Sequence, residues 1–198
     1  DAGAYVQLSG VLKRTSAKLT KICNDIRLLA SGPRCGLNEI DLPQMQPGSS
    51  IMPGKVNPVI PEVVNQTGFL VIGLDLTVTL AASAGQLQLN VMEPVIAFAL
   101  FTSITTMERA VDTLRTHCVD GITANAERTR EMVLNSLGIV TLLKPSLGYK
   151  LCGEIAKEGF ETGRSLREIV VERRRLLTAE QWDEIFSFEN LIAPRFDA

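Results

Sequence analysis

The sequence predicts an all-α protein: three long helices of a central helical bundle, followed by a small C-terminal helical domain. Three observations carry this reading. Apolar residues between Tyr5 and Leu29 recur in steps of three and four, the 3.5-residue period of helices packed at a shallow angle. A second segment, Pro61 to Met92, has one charged residue, Asp75, between Glu62 and Glu93. No period-2 alternation long enough for a strand is present.

The first helix follows from its seam: Tyr5, Leu8, Leu12, Leu19, Ile22, Ile26 and Leu29. Lys13, Arg14, Lys18, Lys21 and Arg27 lie off that seam. Ser31-Gly32-Pro33 stops the helix, with glycine near the C-cap and proline beyond it. Residues 31–60 are rich in proline and glycine, and a long irregular connection inside a compact domain is usually functional.

Pro61 suits the first turn of the second helix, predicted to run to Met92. That length is about 45 Å at the helical rise. A helix apolar nearly all round is buried on all sides. One small bundle cannot easily surround it; neighbouring subunits could, and the alternative is the central helix of one large monomeric domain. Pro94 restarts a third helix, from Val95 to about Arg115.

After Cys118 the character changes. Residues 1–118 hold 18 charged residues and residues 119–198 hold 24. The sequence therefore divides into a partial bundle domain over 1–118, carrying a loop at 46–58, and a small helical domain over 119–198. Ser165 with Glu168, and Thr178 with Gln181, read as helix starts of the capping-box kind. Trp182, Phe186 and Phe188 are expected to pack the small domain. Arg173-Arg174-Arg175 reads as a solvated helix end.

Composition removes several function classes. A net charge of −2 gives no basic surface for nucleic acid. The apolar run near Phe69–Ala84 is broken by Asp75, so no membrane span is expected. Cys23, Cys35, Cys118 and Cys152 form no CxxC pair, and with His117 as the single histidine no metal ligand set is expected. Scattered thiols fit a cytoplasmic location. The chain opens at Asp1 and enters helical pattern at once, which reads as a piece of a longer protein.

The chemistry concentrates in Gly48-Ser49-Ser50-Ile51-Met52-Pro53-Gly54-Lys55-Val56-Asn57-Pro58. Hinge residues there alternate with two hydroxyls, one ammonium and one carboxamide. A phosphate loop fails on glycine spacing and on Val56 after the lysine. A serine-hydrolase triad fails for want of a GxSxG elbow and a nearby histidine. Anion recognition remains: Lys55 and Asn57 flank Val56 and share a side in an extended segment. A serine in that setting could act as a base. Alternatively, the serines only cap turns in a rigid loop. Glu62, one turn into the next helix, either favours the helix dipole or orients a histidine from elsewhere.

The same stretch resembles the GSSxMPxKxNP motif of the aspartase/fumarase superfamily. Leu28-Leu29-Ala30-Ser31-Gly32-Pro33-Arg34 and Leu37-Asn38-Glu39-Ile40 also resemble the family. Pro61-Glu62-Val63-Val64-Asn65-Gln66, the run Gly85 to Pro94, and Asn135 to Thr141 are similar to the aspartase branch. The resemblance implies elimination of ammonia from L-aspartate to give fumarate through an aci-carboxylate. Hydration of fumarate is the alternative within the superfamily, and a non-catalytic helical assembly module the alternative outside it. Ser49 is implied as general base and Glu62 as the acid paired with a histidine absent from this chain. Ser50, Ile51, Met52, Lys55 and Asn57 are implied as substrate contacts. The resemblance further implies a homotetramer, no required cofactor, and activation by a divalent cation such as Mg²⁺. Substrate regions preceding this chain would complete the site, so the isolated chain is expected to be inactive.

Overall fold

A computed structural model of the chain describes residues 1–48, 51–52 and 54–194. These divide into two units, Asp1–Asn125 and Ala126–Ala198. The division falls later than the change in charge density at Cys118. The reason is a two-residue antiparallel pairing of β1 (Ile40–Asp41) with β2 (Thr123–Ala124). Together with the Asn125 amide donating to the Glu39 carbonyl, it ties residues 119–125 to the first unit.

The first unit is built on α1 (Gly3–Leu29), α2 (Val59–Ser83) and α3 (Glu93–His117). Val78, Ala81, Ile96, Ala99 and Leu100 form a core at one end; Cys23, Val64, Ala110, Leu114 and Cys118 form another at the loop end. Burying each large side chain contributes about 1.5–3 kcal/mol. Gly68 lets α1 and α2 approach closely, since a Cβ there would stand 2.6 Å from Thr20 Oγ1. Between the two cores lies one polar lock. Asp75 is buried and accepts hydrogen bonds from Ser9 Oγ at 2.7 Å and Lys13 Nζ at 2.6 Å. Burial alone would raise its carboxyl, but the bonds from Lys13 and Ser9 and the Lys13 charge hold it below the ordinary value.

The second helix departs from expectation: it ends at Ser83 rather than Met92. Residues 84–92 fold into a tight turn in which Gln86 and Leu89 exchange backbone hydrogen bonds of 2.8 and 3.0 Å. Asn90 Nδ2 donates to the Ala81 carbonyl at 3.0 Å, which also accepts from the Ala84 amide at 3.3 Å at the end of α2. Its Oδ1 accepts from the Met92 amide at 2.8 Å, tying the turn to the start of α3. The apolar pattern runs on through this turn, so periodicity does not reveal the break.

As expected for a helix this apolar, α2 is not enclosed within one chain. Phe69, Leu70, Leu76 and Leu80 stand exposed along its outer face. By length and composition alone, α2 and the Glu93–Gly121 segment could each cross a membrane. Against that, α2 packs along α1, whose outer face carries Arg14, Lys18 and Lys21 and belongs in water.

The second unit comprises α4 (Ala126–Asn135), a 3₁₀ segment (Leu137–Leu143), α5 (Lys144–Leu147), α6 (Tyr149–Thr162), a π-helical turn (Glu168–Arg173), α7 (Ala179–Ile185) and α8 (Phe188–Ile192). Its core holds Leu143, Ile155, Leu166, Ile169, Val170, Trp182 and Phe186. The rings of Trp182 and Phe186 lie 4.1 Å apart. Phe188 is exposed at the first turn of α8, contrary to its expected role in the core. The Thr178–Gln181 capping box forms in both directions, at 3.2 and 2.9 Å. Arg173 and Arg174 stand at an exposed helix end, as expected, and both are also paired. The π-helical turn brings both onto Glu158, at 2.8 and 2.7 Å.

Candidate functional site

The loop that leads into α2 is closed on itself. The Gly48 amide donates to the Lys55 carbonyl at 2.7 Å, and Asn57 Nδ2 donates to the Gly48 carbonyl at 2.8 Å. Glycine is required here, because a Cβ at residue 48 would sit 2.2 Å from the Lys55 carbonyl oxygen. Gly54 takes a φ of +79°, the left-handed conformation that favours glycine. The Lys55 amide then donates to the Met52 carbonyl at 3.2 Å.

These bonds decide how each expected site residue is presented. Lys55 is exposed and forms no ion pair among the described residues. Asn57 is half-buried and spends one N–H on Gly48, leaving its second N–H and its oxygen. Ile51 and Met52 are exposed beside them. Ser49 and Ser50, expected as base and substrate contact, lie outside the described residues. Glu62 sits in the first turn of α2, half-exposed, with Oε1 4.0 Å from Arg27 Nη2 of α1.

That Arg27 contact belongs to a cluster that sequence reasoning missed. Asn24 Oδ1 accepts from Arg27 Nη1 at 3.3 Å and lies 2.8 Å from the Asn65 carboxamide, whose oxygen, in the orientation that satisfies its neighbours, accepts from Arg27 Nη1 at 3.2 Å while its nitrogen donates to the Thr20 carbonyl at 3.3 Å. Asn24 and Arg27 come from the last turns of α1, and Glu62 and Asn65 from the first turns of α2. Each pair is spaced by three, so each presents one face. The sequence signal was that Asn65, like Asp75, places a polar side chain on the largely apolar buried face of α2.

Electrostatically the site favours anions. Lys55 to Pro58 immediately precede the N-terminus of a 25-residue helix, where unpaired N–H groups and the helix dipole attract negative charge. Below, His117 is exposed at the end of α3. It lines a small cavity with Pro58, Val59, Ile60, Pro61 and Cys118. Cys23 and Cys118 are buried, and burial, with the neighbouring Cys118, pushes the Cys23 thiol up to about 11. A thiol so protonated is a poor nucleophile. Among the described residues no three His, Cys, Asp or Glu side chains are grouped to hold a metal ion.

Comparison with known proteins follows the same lines. Residues 1–73 match the lyase family and residues 139–193 match the fumarase C C-terminus family. An aspartate ammonia-lyase of Helicobacter pylori is 62% identical over 98% of this chain, and that of Escherichia coli K12 is 57% identical over all of it. The chain spans 41% of the length of either relative. A fumarate lyase:delta crystallin structure from Brucella melitensis bound to cobalt superposes with a TM-score of 0.88 at 51% identity. It covers 93% of this chain and 40% of that one. A class II fumarase from Schistosoma mansoni superposes with a TM-score of 0.85 at 38% identity, covering 98% of this chain and 40% of that one.

Proposed function

Because the chain belongs to the aspartase/fumarase superfamily, we propose that it is the part of an aspartate ammonia-lyase that carries the carboxylate-binding loop. The observation that carries this reading is the closure of that loop. Gly48 locked to Lys55 and Asn57 holds an ammonium and a carboxamide together at the positive end of α2. Two such groups suit one carboxylate of a dicarboxylate substrate.

In this reading Ser49, stabilised as the alkoxide by the cationic, amide-rich loop, takes a proton from Cβ of L-aspartate and becomes the hydroxyl. The electron pair moves into the adjacent carboxylate, giving an aci-carboxylate with two negative charges. Lys55, Asn57, the Ser50 hydroxyl and loop N–H groups stabilise that charge where it develops. Ile51 and Met52 line the substrate. The pair then returns to form the C=C bond, the Cα–N bond breaks, and ammonia leaves with fumarate as product. Glu62 orients a histidine supplied from outside this chain. Its long contact with Arg27 leaves a carboxylate lone pair for that partner.

We assign the exposed apolar face of α2 to a homotetramer in which the long helices pack together, and the protein to the cytoplasm. No organic cofactor is required. Mg²⁺ is proposed as an activator only, and no step is routed through it. The test is product analysis with the full-length protein. Fumarate with ammonia should give L-aspartate, and fumarate alone should give nothing. Formation of L-malate from fumarate alone would instead assign a hydratase.

A further inference from the structure

The polar cluster between the ends of α1 and α2 holds one charged group to which the proposed chemistry gives no task. Arg27 lies in the last turn of α1 and is fixed more firmly than an exposed cation needs to be. Its Nη1 donates to Asn24 Oδ1 at 3.3 Å and to the Asn65 carboxamide oxygen at 3.2 Å. Those two acceptors use both N–H groups of that nitrogen. Asn65 is itself fixed: it is only 4% exposed, and its nitrogen donates to the Thr20 carbonyl at 3.3 Å. The reach from Asn65 to Thr20 depends on Gly68, one turn further along α2, where the two helices approach closely.

This anchoring controls the other side of the guanidinium. Nη2 stands 4.0 Å from Glu62 Oε1. That separation is too long for a hydrogen bond, so Glu62 feels the charge and gives up no lone pair. Among the described residues Glu62 Oε2 meets no side-chain donor. The two carboxylate oxygens are therefore distinguished, one facing Arg27 and one open.

Two simpler roles do not account for the arrangement. Arg27 sits at the negative end of α1 and Glu62 at the positive end of α2, so each charge suits its own helix dipole. Any cation at position 27 would serve that purpose, with no need of two carboxamide anchors. The ion pair does not account for them either, because a long pair between exposed groups contributes little to stability. What the anchors require is a planar fork. One nitrogen holds two oxygens while another faces a carboxylate, a geometry that the single ammonium of lysine cannot copy.

We infer that Arg27 is a positioning residue for the proposed reaction and acts through Glu62. Held by Asn24 and Asn65, the guanidinium fixes Oε1 on the α1 side and leaves Oε2 turned toward the histidine that Glu62 orients. Without Arg27 the Glu62 side chain is free to take other rotamers, and the histidine loses its fixed orientation. Arg27 itself touches neither substrate nor reacting atoms. This rests on the lyase reading and extends it to the residues behind Glu62.

The test is a double-mutant cycle on kcat in the full-length protein, with fumarate release from L-aspartate as the readout. Arg27→Met keeps the stem and removes the charge and the fork. It is expected to lower kcat about tenfold with KM within about twofold, because orientation is lost and substrate binding is not. Glu62→Gln keeps the shape of Glu62 and removes its charge. In that background Arg27→Met is expected to change kcat by less than about twofold, since two groups acting as one unit are not additive. Losses that multiply, or a kcat for Arg27→Met within about twofold of the unmodified protein, would overturn the proposal. Arg27→Lys is the second variant and decides the matter if Arg27→Met does not fold. It keeps a cation at the end of α1 without the fork, and is expected to lower kcat about threefold or more, an effect absent in the Glu62→Gln background. Full kcat in Arg27→Lys would reduce Arg27 to a dipole charge and overturn the proposal. The lyase reading fails separately. If the unmodified protein forms L-malate from fumarate, that reading is lost, and the same cycle measured on malate formation still decides the role of Arg27.

Discussion

Changing Gly48 to alanine puts the most demand on the loop geometry. The added Cβ would lie 2.2 Å from the Lys55 carbonyl oxygen and 2.7 Å from its carbon, both backbone atoms that cannot rotate away. The loop must open, losing the Gly48–Lys55 bond and the Asn57–Gly48 bond. At about 1 kcal/mol each, local closure weakens by about 2 kcal/mol. The global fold should hardly register this, because the loop lies outside both cores of the first unit. Catalysis should register it strongly, since a displacement of about 1 Å at a positioning group can cost roughly 10²-fold. The assay is kcat/KM for fumarate release by the full-length protein, beside its melting curve. We expect a fall of about 10²-fold with Tm shifted by no more than about 4 °C. Gly54→Ala, in open space but at positive φ, should cost less. If Gly48→Ala retains kcat/KM within about twofold in a folded protein, loop closure does not position the site.

Three further outcomes follow. Ser49→Ala should lower kcat by about 10²–10⁴-fold with KM less affected, as for loss of a positioned base; stopped-assay kinetics check this. Asp75→Asn should cost about 1–3 kcal/mol by urea midpoint near neutral pH. Its carboxyl is held below the ordinary value of about 3.9. Its stabilisation is therefore present above about pH 4 and lost as pH falls through the lowered value. The variant should show a shallower acid limb, and an unchanged one would deny the lock. Thr178→Ala removes one side of a reciprocal cap and should cost about 1 kcal/mol, measured by thermal melting.

The long helices were legible from their apolar period and, for α2, from the near-absence of charge. The buried face of α1 was not: Ser9, Ser16 and Cys23 are its buried residues, while Tyr5, Leu8 and Ile22 of the expected seam stand exposed. The end of α2 was not legible. It is set by Asn90 reaching back to the Ala81 carbonyl, while the apolar pattern continues past it. The pairing of Arg173 and Arg174 with Glu158 was not legible either, because it forms only once the π-helical turn lies beside α6. At the site, the loop motif announced Lys55 and Asn57 through residue type and spacing. It could not announce that Asn57 holds Gly48, since that bond depends on the loop's closed path. Asn24 and Arg27 were invisible as site neighbours because they meet Glu62 and Asn65 only after α1 and α2 pack side by side.

The central claim is that Lys55 holds a substrate carboxylate at the start of α2, and steady-state kinetics of Lys55→Ala in the full-length protein test it most directly. Loss of a group that binds ground and transition states alike should raise KM for L-aspartate at least tenfold, with kcat falling as orientation is lost. A folded variant with unchanged KM and kcat would contradict the claim and move carboxylate recognition elsewhere in the protein.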